Sequence, residues 1–570
     1  MAVLYTPDCC VCLTIPIKAL IMNIRNYNIY FNTHTISGII ICVLLYVIFF
    51  AGSFSFFRDE ISAWQKNTSY VGYKNDFNNY DKLVDSLKQE MNLGGRDITF
   101  YINNKGTGVY VNVSASNDSI LNKENIAKIK PSKEKKGRGR GRGNTDSKYF
   151  NYDFVKQQSG DYSTNYDMAE FLYRLHFLAQ LNEVPIKVGI APFGYFIAGL
   201  TSFLFLFALI TGLLLHWDKI VTNFFIFRPF NKWKTVWTDM HTALGVVGFP
   251  FQFLYAVTGV FLIINSVLAI PFGKLLYGGD QEKMYQDLGY SRAIKYEYTY
   301  KPMEKEVRIA HYLDLAQNKW PDAEMIRAHI KNYADSNMHI LVEFEPHFNK
   351  SFAGTGMIDY QIHNDQVVEE RSPMVNPTYT DKVRSLIYRL HFADFGGYPV
   401  KTTYFILGIM GCLVITSGIL IWLVARNKNN VIPRKRKFNL WMANLFMAIC
   451  LTMLPVTAFT FIAIKLSTEV NQSFIYSVYF YSWLILTIYY TIRKDINRTN
   501  RETLLLGSAL AFCIPIVNGV ISGNWLWNTI ATQRTDIFVI DFLWLLIGMI
   551  GLIAYFKSKR FFSTIAAKKK

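Results

Sequence analysis

The chain has 570 residues, 51% of them hydrophobic and 16% aromatic, and carries a formal net charge of +18. It is too apolar for a disordered chain. Its apolar residues fall in blocks of about 20, the length that crosses a bilayer, so the positive charge reads as membrane topology and gives no ground for a nucleic-acid partner.

Eight spans are expected, at 36–57, 195–216, 243–270, 403–424, 440–464, 473–492, 504–521 and 537–555. Basic residues cluster at Lys18 and Arg25, at Lys219, Arg228, Lys232 and Lys234, at 434–437, at Arg493, Lys494, Arg498 and Arg501, and in the tail. With eight spans all of these clusters share one side. The positive-inside rule then puts both termini in the cytoplasm, with membrane lipid around the spans. The chain divides into a cytoplasmic segment 1–33, spans at 34–57, 191–217, 241–270 and 401–425, outer segments 58–190 and 271–400, a cytoplasmic loop 218–240, and a four-span module 426–570. The start at 1–21 reads as a dispensable extension before "MNIRNYNIY", and Cys9-x-x-Cys12 is a weak metal or redox signal because no His follows it closely. The outer segments contain no cysteine, so no disulfide framework is expected there.

The outer segments read as α/β modules. In the first, Leu83, Val84, Leu87 and Met91 lie on one helical face, and "DITFYINNKGTGVYVNVSA" gives two strands about an Asn-Lys-Gly turn. The basic Gly/Arg tract at 130–144 reads as a solvated insertion. In the second, "VRIAHYLDLAQNKW" predicts a helix, and "HILVEFE" and "YQIHNDQVVEE" predict strands with a turn at Asn364-Asp365.

The first four spans form a duplicated unit. "HTISG" at 34–38 and "HTALG" at 241–245 share H-T-x-x-G, and a further Gly follows each His by 18 residues, at Gly52 and Gly259. "YRLHF" occurs at 173–177 and again at 388–392, so that His34 to His176 is 142 residues and His241 to His391 is 150. The unit then ends in "LITGLLLHW" and "VITSGILIW". No histidine follows His391.

Topology puts His34, His216 and His241 at the cytoplasmic edge and His176 and His391 at the outer edge. Two units packed about a pseudo-twofold axis pair His34 with His241 and His176 with His391. Paired imidazoles across a four-helix bundle are the usual axial ligands of b-type haem. Gly38 and Gly245, four residues after His34 and His241, leave room for a macrocycle. Two b-type haems are therefore expected, with His216 as an alternative inner ligand or a neighbour of a propionate. Arg174 and Arg389 are expected beside outer propionates or lipid headgroups. Zinc wants four close ligands, more than each pair offers. The competing reading is an ordinary helix interface with small residues and interfacial histidines. The other histidines, His311, His329, His339, His347 and His363, show no ligand spacing and read as exposed or partly packed. Asp541 in "IFVIDFLW" reads as a cap near the outer end of its span, paired with Arg534, with a quinol or proton site as the alternative.

"HTISGIIICVLLYVIFFAGSFSFFRDEISAW", "DMHTALGVVGFPFQFLYAVTGVF" and "LHFADFGGYPVKTTYFILGIMGCLVITSGILIW" resemble the helices of PepSY-associated transmembrane proteins, over about 27–426. The resemblance implies a mainly α membrane protein. Its four-helix di-haem-type core carries two periplasmic α/β PepSY-like modules, and four C-terminal transmembrane helices are additional to the family pattern. It implies the bacterial inner membrane and His34, His176, His241 and His391 as haem ligands. It also implies a ferric chelate such as a ferric siderophore, or another periplasmic acceptor. The absence of a nucleotide-binding glycine motif leaves the donor to a separate cytoplasmic flavoprotein or a quinol. The rival functions are a haem-free PepSY protein that binds or regulates a periplasmic partner, and a transporter, for which internal repeats are also known.

Overall fold

The computed structural model describes residues 24–128, 146–188, 191–228, 231–280, 283–284, 287 and 294–567. The Cys9 and Cys12 pair, the expected start at Met22 and the Gly/Arg tract lie outside the described residues.

Among the described residues, eight helices are long and apolar enough to cross a membrane. They lie at Ile24–Ser55, Phe193–Leu215, Lys234–Ile263, Gly397–Arg426, Pro433–Leu466, Gln472–Arg493, Ile496–Ser522 and Thr535–Ser558, and are called spans one to eight below. All eight expected blocks are found. The helices extend past the apolar blocks at several ends because basic and polar residues continue them into the interface.

Spans one to four pack as a bundle, with span one against two and four, and span three against two and four. The outer segments rise from one end of it. Their strands are β1 (Arg96–Asn103), β2 (Gly108–Ser116), β3 (Lys148–Asp153), β4 (Gln158–Asp161), a short hairpin β5 (Lys187–Val188) and β6 (Ala191–Pro192), then β7 (Ala323–Lys331), β8 (His339–Pro346), β9 (Gly356–Gln361) and β10 (Gln366–Arg371). The β1–β2 turn at Asn104–Gly106 puts Lys105 at φ 54°, a left-handed conformation typical of such tight turns.

The two outer segments were expected as separate modules. They instead share one antiparallel sheet of order β10-β9-β8-β7-β1-β2-β3-β4. The join is β1 against β7, with Ile98 opposite Ile330 and Tyr101 opposite Arg327. Joining them removes two strand edges that would otherwise be left unpaired. His329 seals the seam, bonding Thr99 Oγ1 on β1 and Glu343 on β8, each at 3.1 Å. Helices Asn78–Glu90 and Ile309–Lys319 cover one face, burying Tyr80, Leu83, Leu313 and Ala316 against Phe100, Ile340 and Phe344. The expectation of exposed or partly packed outer histidines fails at two positions. His329 is buried at the seam, and His339 is buried between Asp359 and the stacked ring of Tyr296.

Spans five to eight form the added module. It is locked to the core through the helix Arg58–Lys66 and the loop after it. Trp64 Nε1 donates to Asp541 on span eight at 2.8 Å, and Lys465 on span five donates to the Trp64 carbonyl at 2.6 Å. Asn518 on span seven donates to the other Asp541 oxygen at 2.7 Å. Asp541 is thus a wholly buried inter-helix acceptor and not a helix cap. The acid near the start of that helix is Asp536, which accepts from Ser69 and the Tyr70 amide, while Arg534 binds Asn67 and Asn524. Asp541→Ala leaves two buried donors without an acceptor, each costing about 1–3 kcal/mol. Its expected outcome is a protein that unfolds at clearly lower temperature in detergent, with the junction at residues 58–70 cut first in limited proteolysis.

Two histidine pairs at opposite ends of the four-helix core

His34 and His241 start the apolar stretches of spans one and three. Their rings lie 6.0 Å apart, centre to centre, inclined at 70°. His176 ends the helix Met168–His176, and His391 is the penultimate residue of Tyr379–Phe392. These rings lie 5.8 Å apart, inclined at 42°. Each pair draws one histidine from each copy of the repeat. Gly52, which faces His176, is 18 residues beyond His34 on one helix. At 1.5 Å per residue the two pairs are on the order of 25 Å apart, close to the thickness of a bilayer's hydrocarbon core.

Every one of the four rings has Nδ1 engaged by a neighbouring helix. His34 Nδ1 bonds the Ala208 carbonyl, His176 the Ile48 carbonyl and His241 the Val414 carbonyl, each at 2.8 Å. His391 Nδ1 bonds Thr258 Oγ1 at 2.8 Å. A carbonyl can only accept, so in His34, His176 and His241 Nδ1 carries the proton and Nε2 keeps its lone pair. Fixing the tautomer and orientation in this way is how proteins prepare histidine to bind a metal.

Glycine makes the approach possible. A Cβ on Gly52 would come within 2.8 Å of His176 Cε1, one on Gly212 within 3.0 Å of His34 Cε1, and one on Gly418 within 3.2 Å of His241 Cε1. Gly38 and Gly245 differ: a Cβ there meets nothing within 4 Å. They border open space beside the His34–His241 pair.

The other pair opens on a cavity of about 3700 Å³ between bundle and sheet. Its walls include His176, His391, Arg58, Arg174, Arg389 and, from span six, Tyr476. Burial, only partly offset by the Ile48 carbonyl, pushes the His176 imidazole below its ordinary value. Burial, with His176 alongside, pushes His391 down to about 3. Both are therefore neutral at physiological pH, the form that binds metals.

The two YRLHF arginines have protein partners. Arg174 Nε donates to Glu170 at 2.6 Å, and Arg58 binds the same carboxylate. Burial alone would raise Glu170; Arg58 and Arg174, with Tyr162, outweigh it and hold it below the usual carboxylate range. This network is therefore intact at neutral pH and is lost only as pH falls through that lowered value. Arg389 is buried, donating to the Pro346 carbonyl with its guanidinium 5.8 Å from the Phe352 ring. Both arginines also line the cavity. His216 caps span two one turn beyond Gly212, close enough to His241 to interact with it electrostatically.

The PepSY-associated transmembrane region model matches residues 31–425. The chain belongs to the PepSY-associated transmembrane family. The match ends where span four ends, so spans five to eight lie outside the family region. Among curated proteins no match is found.

In this PepSY-associated protein, Gly212, Gly418 and Thr258 are site residues that the motifs did not single out. Gly212 and Gly418 sit in the matching span ends "LITGLLLHW" and "VITSGILIW", and that match was the available signal. Gly52→Val places branched carbons where the His176 ring lies. It is expected to cost about 1–3 kcal/mol by overpacking, read as a lower unfolding temperature. Gly38→Ala and Gly245→Ala meet open space and should leave that temperature unchanged or higher.

Proposed function

We propose that this protein is a transmembrane b-type haem oxidoreductase of the inner membrane, which passes electrons from the cytoplasmic side to a periplasmic acceptor. The observation that carries the reading is the arrangement of four imidazoles, two at each end of one bundle, every Nδ1 tied to a helix and every Nε2 left with its lone pair. Two imidazoles sharing one iron, at about 2 Å per nitrogen, bring their ring centres roughly 6 Å apart, which fits both pairs. Two nitrogens per site suit an iron whose other positions a macrocycle fills, whereas zinc asks for about four protein ligands. The open flanks of Gly38 and Gly245, and the cavity beside His176 and His391, offer room for such a group.

A bound haem supplies one-electron chemistry at its iron. The Nε2 atoms of His34, His241, His176 and His391 would hold it, and the chain surrounds these imidazoles with apolar helix. Phe49, Phe205 and Ala256 give the bundle side of the outer cavity an apolar wall. The outer cavity exceeds the roughly 300–1,000 Å³ of an ordinary small-molecule site, so a ferric chelate can enter beside the outer pair. Its mixed lining of Tyr101, Tyr162, Tyr173, Lys105, Arg58 and Glu345 suits a polar, partly aromatic ligand. The donor is a separate flavoprotein or a quinol.

The test is reconstitution of the haem-loaded protein in vesicles, with a reductant trapped inside and ferric siderophore plus a chromogenic Fe(II) chelator outside. Protein-dependent colour is expected, falling at least tenfold in His391→Ala. Colour that is no faster than from protein-free vesicles contradicts the proposal. Gly38→Leu should fill the open flank and prevent loading at the inner pair, while the outer haem spectrum and the fold persist.

A further inference from the structure

Three of the four histidine seats share one construction. The carbonyl that accepts from Nδ1 lies four residues before a glycine: Ala208 before Gly212, Val414 before Gly418, and Ile48 before Gly52. In a helix the carbonyl of residue i is bonded to the amide of i+4 and has a second lone pair turned outward. The side chain at i+4 flanks that lone pair, and glycine uncovers it. By the symmetry of the repeat, the fourth seat should be the Tyr255 carbonyl, four residues before Gly259.

His391 does not use it. Its Nδ1 meets the Thr258 hydroxyl, and Thr258 is itself buried. That hydroxyl gives its single proton to the Leu254 carbonyl at 2.7 Å, with the Tyr255 carbonyl at 3.3 Å. With its proton on the Leu254 carbonyl, the hydroxyl accepts from His391 Nδ1–H. Thr258 thus stands between the ring and the helix backbone, replacing the direct contact made at the other three seats.

We propose that Thr258 is a positioning residue for His391, setting its tautomer and making it electronically different from its partner His176. The inference rests on the reading that the histidine pairs hold haem. A hydrogen bond from Nδ1–H raises the basicity of Nε2 and so favours the oxidised iron. Removing the acceptor should make the outer iron easier to reduce and leave the inner one untouched.

The experiment is a redox titration of the full-length, haem-loaded protein, followed by absorbance and by low-spin electron paramagnetic resonance. His391→Ala identifies the outer signals by their loss. Thr258→Val is expected to raise the outer midpoint potential and change the outer resonance, with the inner signals as an internal reference. Thr258→Ser should restore wild-type behaviour, and Thr258→Cys, with a weakly accepting thiol, should fall between. Should Thr258→Val fail to fold, with both signals lost, the Cys and Ser variants decide: a shift in Cys and none in Ser supports the role, and identical behaviour overturns it. Two loaded haems whose outer midpoint is unchanged in Thr258→Val also overturn it. A wild-type protein that takes up no haem instead overturns the underlying functional reading.

Discussion

The four-helix core depends on one contact repeated: an imidazole Nδ1–H seated on an acceptor offered by a neighbouring helix. A buried imidazole has to satisfy one ring nitrogen before the other is free for chemistry. Helix carbonyls are the acceptors nearest to hand, but ordinary side chains flank them. Glycine at the right offset uncovers the carbonyl and lets the ring approach closely. Ile48 with Gly52, Ala208 with Gly212 and Val414 with Gly418 are the same device used three times. The contact also fixes helix spacing, because each seat joins a ring on one element to the backbone of another. The glycines of this core are therefore as much a part of the site as its histidines.

The outer sheet and the added spans complete the enclosure. One continuous sheet, closed at the β1–β7 seam by His329, roofs the end of the bundle where His176 and His391 lie. The helix Met168–His176 is bolted in place by its own N-terminus. Asp167 caps it, accepting the Glu170 amide and a bond from Ser62, and pairs with Lys66. The short helix Arg58–Lys66 serves two masters, gripping this helix on one side and, through Trp64, the added module on the other. Spans five to eight carry no histidine, yet Asn471, which caps span six, and Gln472 and Tyr476 within it line the wall of the outer cavity. The added module therefore shapes what can approach the outer pair.

Much of this was legible in the chain. Blocks of apolar residues gave all eight spans, because a bilayer tolerates little else. H-T-x-x-G and YRLHF gave the duplication and the two histidine pairs, since motif spacing survives in a repeat. The β1–β2 hairpin was legible from alternation about Asn104-Lys105-Gly106. The joined sheet was not, because β7, "AEMIRAHIK", alternates weakly and the contacts of its Arg327 with Tyr101 and its His329 with Thr99, 230 residues away, exist only once the seam has formed. Asp541 was misread as a cap because its donors, Trp64 and Asn518, are 477 and 23 residues away. Thr258 was hidden for a different reason. It breaks a regularity that becomes visible only when the other three seats are compared in space.

The most direct test of the central claim, that each end of the core holds one haem between a matched histidine pair, is a count of haem per chain resolved by site. Haem is extracted and quantified against protein for the wild type and for single alanine variants of His34, His241, His176 and His391. The account predicts two per wild-type chain and one in every variant. It further predicts identical residual spectra for His34 and His241 variants, and a different shared spectrum for His176 and His391 variants. Residual spectra that group the variants by repeat copy, His34 with His176 and His241 with His391, would contradict it, as would a wild-type chain that takes up no haem.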